Sequence, residues 1–246
     1  MLSPYEKYQY ADDDIRRIWA ADHPDTVDQA FNGRHGIYIL VDTDAESPRE
    51  WNNLGTMVCW HRKYRLGEVD GREQYGHPDN FLLALYNQIP DVRRLDCDLT
   101  YHKLTARVWN RIHRKITEHY VILPLYLMDH SGLRMSTYAE PFRIRDFQGW
   151  DWGQVGWIYV SKDQVIKEYG SWTPETQAQA AKVLEEEVET YDLYLSEQVY
   201  GYILTEVRNG EEIEIDSCWG FYGDDIYQSL RGILKDVDPD LAQAIC

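Results

Sequence analysis

Asp129, His130 and Ser131 stand consecutively in the stretch DHSG. These are the residue types of a hydrolase triad, in which an acid orients an imidazole and the imidazole activates a hydroxyl. Neighbours on one strand point to opposite faces, so these three do not form a triad by themselves. The same stretch fits a polar exit from a strand into a turn. Cys59 and His61 lie two apart in CWHRKY, on one face of a strand. With Asp129 and His130 they offer metal-type donors, but no second closely spaced ligand pair completes a site, and no metal is expected. Cys218 in DSCWGFYG, set against His61 or His130, would pair a thiol with a base. Its alternative is a thiol at the end of an alternating strand. The enzymatic candidates are therefore His61, Asp129, His130 and Cys218, for a hydrolase or metal-dependent nuclease. GQVGWI has neither glycine spacing of a phosphate-binding loop, so no cofactor is expected.

A second pattern is made of carboxylates. The chain of 246 residues carries a formal charge of −17. Such a field repels phosphates and excludes general attraction to nucleic acid; it favours basic surfaces or metal ions as partners, or serves solubility alone. Beyond Gly149 only six basic residues face twenty acidic ones. Glu185, Glu186, Glu189 and Asp192 fall on the polar side of a helix, and Glu212, Glu214, Asp216, Asp224 and Asp225 follow. A helix rises about 1.5 Å per residue. Duplex charges are spaced about 1.7 Å along the axis. A run of helical carboxylates therefore approaches the linear charge density of a duplex. These nine acids are the candidate partner-binding residues.

The elements that must position these groups are legible in outline. GIYILVD and GTMVCWH read as strands, rich in β-branched and aromatic residues. HPDNFLLALYNQI reads as a helix with Asp79 or Asn80 at its N-cap. LTARVWNRIHRKITEHY is a second helix, with Val108, Ile112 and Ile116 on one face. VILPLYLMDH is a strand in which Pro124 marks an edge or a bulge. QVGWIYVS is another, followed by a short helix capped by Ser161 and ended by Gly170. Thr173 and Pro174 open a long helix whose apolar stripe is Ala181, Leu184, Val188, Tyr191 and Leu195. Asn-Gly at 209–210 joins two strands in a hairpin, and one or two helices close the chain. The expected fold is α+β, a mostly antiparallel sheet with helices on at least one face. The charge contrast suggests a boundary between residues 1–149 and 150–246, a single continuous domain being the alternative. In the hairpin, strict alternation puts Ile213, Ile215, Ser217 and Trp219 on one face and Glu214, Asp216 and Cys218 on the other. Trp219 is then an aromatic core plug, with Gly220 and Gly223 permitting the exit to a helix near Asp224.

Cys59, Cys97, Cys218 and Cys246 have no motif spacing, as expected of reduced thiols in a cytosol. The start lacks a signal-peptide pattern, and no apolar run approaches the roughly 20 residues of a membrane span, so a soluble cytosolic protein is expected.

Five stretches, NLGTMVCWHRKYRLG, LPLYLMDHSGLRM, WDWGQVGWIYVSKDQVIKEYG, EVETYDLYLSEQVYGYILTE and DSCWGFYG, together resemble a family of uncharacterised proteins of bacteriophages, plasmids and conjugative elements. The resemblance runs with gaps from Asn53 to Gly223. Trp152 departs from it, since the family has a small residue there, and the loop around it is expected to differ. The resemblance brings no catalytic residues with it. It implies an anti-defence role: an acidic protein that blocks a basic host partner, a defence nuclease or CRISPR component, by occupying its nucleic-acid site. Direct binding to nucleic acid or membrane is not expected, and a homo-oligomer is compatible.

Overall fold

The computed structural model describes residues 25–95 and 104–245. It is an α+β protein with two sheets, paired antiparallel except between Thr56–Cys59 and Val69–Asp70. The chain divides into two compact units, and the division does not follow the charge contrast at 149/150. One unit comprises residues up to Glu46 together with Ser196 onward, and the other is Ser47–Leu195, inserted between two strands of the first. A boundary at 149 would separate β7 (Trp152–Ser161) from its partners β3 (Thr56–Cys59) and β5 (Tyr120–Asp129). Backbone pairing overrides the charge contrast there.

The first unit is a four-stranded sheet in the order β1 (Thr26–Phe31), β2 (His35–Val41), β8 (Val199–Arg208), β9 (Glu211–Tyr222). Ile37, Ile39, Tyr202 and Leu204 alternate onto one face and bury against Ile226, Leu230, Leu234 and Leu241. The last four come from α7 (Asp225–Val237) and α8 (Pro239–Ile245). Tyr38, Leu40 and Ile203 form a smaller buried cluster on the opposite face. The turn between β8 and β9 has φ of 57° at Asn209 and 84° at Gly210, the doubly positive pair that a type I′ turn requires.

Two bulges, at Ile215 and Gly220, change the faces of β9 from those of strict alternation. Cys218 pairs with Tyr202, and Asp216 with Leu204, on the helix-covered face. Trp219, Ser217 and Glu214 pair with Gly201, Ile203 and Thr205 on the other. Ile213 and Trp219 therefore face opposite ways. Trp219 is 46% exposed, so it is not a core plug.

The second unit has the sheet order β4 (Val69–Asp70), β3, β7, β5, β6 (Leu133–Ser136), with helices on both faces. Three helices contribute to one side: α1 (Gly71–Tyr75), α2 (Pro78–Gln88) and α3 (Ala106–His119). Phe81, Leu85, Ile112 and Ile116 from α2 and α3 bury there against Val58 and Tyr159. The N-cap of α2 is His77, whose imidazole accepts from the Asp79 N–H; Asp79 and Asn80 lie inside the helix, because Pro78 takes its first position. On the other side, α6 (Pro174–Leu195) buries Ala180, Leu184, Val188 and Tyr191 against Met57, Leu125 and Ile158. Ala180 is fully buried, one position from the predicted Ala181. Before it lie α4 (Glu140–Arg145) and α5 (Lys162–Tyr169); Ser161 and Gln164 form a capping box on α5, and Gly170 closes it in the left-handed conformation. β5 runs unbroken through Pro124, with the expected bulge one residue further on, between Leu125 and Tyr126.

Candidate functional site

β3, β7 and β5 are neighbours and antiparallel, so the end of β3, the start of β7 and the end of β5 meet at one edge of the second unit. There His61, Arg62, Lys63, Asp129, Trp150 and Asp151 line a polar cleft of about 410 Å³. Three stretches separated by many residues in the chain supply these side chains.

Most charges in the cleft are already paired. Lys63 Nζ lies 3.0 Å from Asp129 Oδ2. His130 Nδ1 lies 2.8 Å from Asp151 Oδ2, which fixes the ring and leaves Nε2 for proton transfer, as in a histidine–aspartate dyad. His61 Nδ1 accepts the Tyr64 N–H at 3.3 Å, so its neutral ring carries the proton on Nε2. Burial pushes the His61 pKa below the usual histidine value, against the opposing pull of Asp129, which keeps the ring neutral at pH 7. DHSG itself is the β5–β6 hairpin turn, with Ser131 at φ 55° and Gly132 at φ 128°.

The two described cysteines, Cys59 and Cys218, are not among this cleft's lining. β3 ends at Cys59, which packs in the core at 3% exposure, whereas His61 lies beyond the strand, so the two do not share a strand face. Burial pushes the Cys59 thiol up to about 12, leaving it neither ligand nor nucleophile. Cys218 belongs to the other unit and is exposed on β9. Cys97 and Cys246 lie outside the described residues. Among the described residues no three His, Cys, Asp or Glu side chains gather to hold a metal ion.

The candidate carboxylates separate into two kinds. Asp192 is turned inward: it accepts two hydrogen bonds from Arg134 Nε at 3.0 Å, one from Nη2 at 2.8 Å and one from the Met135 N–H at 2.6 Å. Glu212 accepts from the Tyr38 hydroxyl at 2.7 Å and from the Thr205 hydroxyl, so it too is tied down. Glu185 accepts from Tyr138, and Glu186 pairs with Lys182 at 3.2 Å. Asp216 accepts from the Tyr202 hydroxyl, and Glu214 from Ser217, each at 2.7 Å. Glu189, Glu214, Asp216, Asp224 and Asp225 are exposed. The α6 face is thus partly committed to neighbours within its own unit and is not a free rod of charge.

Sequence reasoning missed Glu187. It binds the buried Arg49 at 3.0 Å and accepts the Leu54 N–H at 2.6 Å, while Glu68 takes the other side of the guanidinium. The available signal was spacing, since 187 falls three after Leu184 and four before Tyr191, on the buried side of α6.

The net charge concentrates in one unit. In the first unit the described residues include sixteen acids and four bases, Arg34, Arg208, Arg231 and Lys235. β9, at the sheet edge, is exposed at eight consecutive residues, Ile213 to Gly220. No family model, curated protein or solved structure matches the chain. Among the described residues no helix is long and apolar enough to cross a membrane.

Proposed function

We propose that this is a non-catalytic protein of a phage or other mobile element, working in the host cytosol. It binds a basic, nucleic-acid-binding host protein, a defence nuclease or CRISPR component, and blocks its nucleic-acid surface. The observation that carries the proposal is the fourfold excess of acids over bases in the first unit, displayed beside an exposed edge strand. The recognition surface is assigned to Glu211, Glu214, Asp216, Asp224 and Asp225 of the first unit. Surface carboxylates steer a basic partner and select against acidic ones. The test is capture from bacterial lysate on the immobilised chain, followed by elution with duplex DNA. A basic nucleic-acid-binding protein released by DNA supports the proposal; a capture that DNA leaves unchanged sinks it.

One observation favours an alternative. Asp151 lines the same cleft as neutral His61 and holds the His130 ring, an acid–base constellation as a hydrolase would need. Turnover of ester or nucleic-acid substrates by the wild type, abolished in His130→Ala and His61→Ala, would replace the binding role with an enzymatic one.

A further inference from the structure

The last turn of α4 and the segment leading from it to β7 expose three large apolar side chains within seven residues: Ile144 at 83%, Phe147 at 90% and Trp150 at 82%. Solitary exposed apolar residues are common, whereas a cluster of this kind marks an interaction site. The segment is also held in one conformation. The Asp146 carboxylate accepts the backbone N–H groups of Gln148, Gly149, Trp150 and Asp151 at 2.7–3.1 Å. These bonds, that of Asp151 foremost, hold the Asp146 carboxyl below the usual range despite some desolvation. Trp152 Nε1 donates to the Asp146 carbonyl at 2.9 Å and anchors the loop from below. A preorganised loop loses little conformational entropy on binding. Arg143 and Arg145 are exposed beside it, and among the described residues neither has an ion-pair partner.

The chain carries a surface that complements this loop. Between α6 and the β6–α4 segment lies a groove of about 390 Å³, with Met135, Pro141, Phe142 and Val188 among its walls and Glu185 and Glu189 at its rim. Benzene fits a cavity of roughly 150 Å³, so this volume accommodates an indole or phenyl ring. Glu189 is exposed and, among the described residues, has no ion-pair partner. The loop is apolar and cationic; the groove is apolar and anionic. Phe142 lines the groove and Ile144, two residues on in α4, leads into the loop, so both belong to one patch of the second unit.

We infer that the occupant of the groove is the loop of a second copy of this chain, in a two-fold dimer. A two-fold axis between loop and groove lets each copy place Phe147 and Trp150 in the groove of the other, with Arg143 or Arg145 against Glu189, because an isologous contact is reciprocal. Buried aromatic side chains cover roughly 150–250 Å² each. Four rings and the surfaces beneath them reach the roughly 1,200–2,000 Å² of a stable interface. The dimer does not depend on what the acidic unit binds.

The experiment is sedimentation velocity on the full chain over a range of concentrations, with charge-swapped variants. The wild type is expected to sediment as a dimer at concentrations on the order of 100 μM and to dissociate on dilution. Phe147→Ser with Trp150→Ser is expected to be monomeric with an unchanged melting temperature, since neither ring is in the core. Arg145→Glu and Glu189→Arg are each expected to weaken the dimer by about tenfold or more. Mixing those two variants restores it, because one interface then gains a swapped pair and the other keeps the native one. A wild type that stays monomeric throughout overturns the inference. So does a dimer indifferent to all these changes, or a monomer whose Trp150 fluorescence shifts on binding vesicles of anionic phospholipid.

Discussion

Trp219 lies across Gly201, its partner on β8, so closely that a methyl group on Gly201 would collide with the indole. The ring fills the space a side chain would occupy and stays 46% exposed. Covering a glycine with a cross-strand aromatic pins the register of an edge strand. Trp219→Ala is therefore expected to cost about 1–2 kcal/mol, in keeping with half burial, and not the 3–5 kcal/mol of a core aromatic. Gly201→Ala, which displaces the ring, is expected to cost about 1–3 kcal/mol. Thermal and urea melting check both.

Arg49 is buried between Glu187 and Glu68 and also donates to the Gly55 carbonyl at 2.8 Å. Removing it leaves two carboxylates facing each other in a desolvated site. Arg49→Ala is expected to destabilise by about 3–5 kcal/mol. Adding Glu187→Gln to that variant is expected to recover part of the loss, because one uncompensated charge is gone. Urea midpoints of the two variants measure the recovery.

Asp238 connects the sheet and the helices of the first unit. It bonds His35 Nδ1 at 2.7 Å, Asn32 at 2.6 Å and the Leu241 N–H at 3.2 Å. Desolvation raises its pKa, but these bonds outweigh it and hold the carboxyl below the usual value. A depressed folded pKa gives stability that is present above the unfolded value of about 3.9 and is lost as pH falls through the folded value. Asp238→Asn is expected to be less stable than wild type at neutral pH, and the difference is expected to close below pH 4. Melting curves across that range test the sign.

Of the two described cysteines, Cys218 is exposed and Cys59 is buried with its thiol pushed up to about 12. Alkylation at pH 8 is expected to label Cys218 rapidly and Cys59 only after unfolding, read by peptide mass spectrometry. Rapid labelling of Cys59 in the folded protein would show that the β3 core opens.

Local chemistry was legible in the sequence, and pairing was not. The β8–β9 hairpin follows from Asn209-Gly210, and the extent of α6 from Thr173-Pro174 and its 3,4-spaced stripe. The faces of β9 were not, because the bulges at Ile215 and Gly220 arise from its pairing with β8. The inward turn of Asp192 and Glu187 depends on Arg134 and Arg49, far away in the chain. The polar cleft was visible only as three separate stretches, since its assembly needs the order β3-β7-β5. The charge contrast along the chain was real, but its spatial division follows the pairing of β2 with β8 across the insertion.

Recognition of a basic partner by the acidic first unit is the role proposed for this protein. It is tested most directly by binding isotherms of the DNA-eluted partner with wild type and with a variant neutralised at Glu211→Gln, Glu214→Gln, Asp224→Asn and Asp225→Asn. All four side chains are exposed, so folding is expected to change little. Wild-type binding is expected to weaken steeply with salt, and the variant to bind at least about tenfold more weakly with a shallower salt dependence. Equal affinity of the two proteins, unaffected by salt, would contradict it.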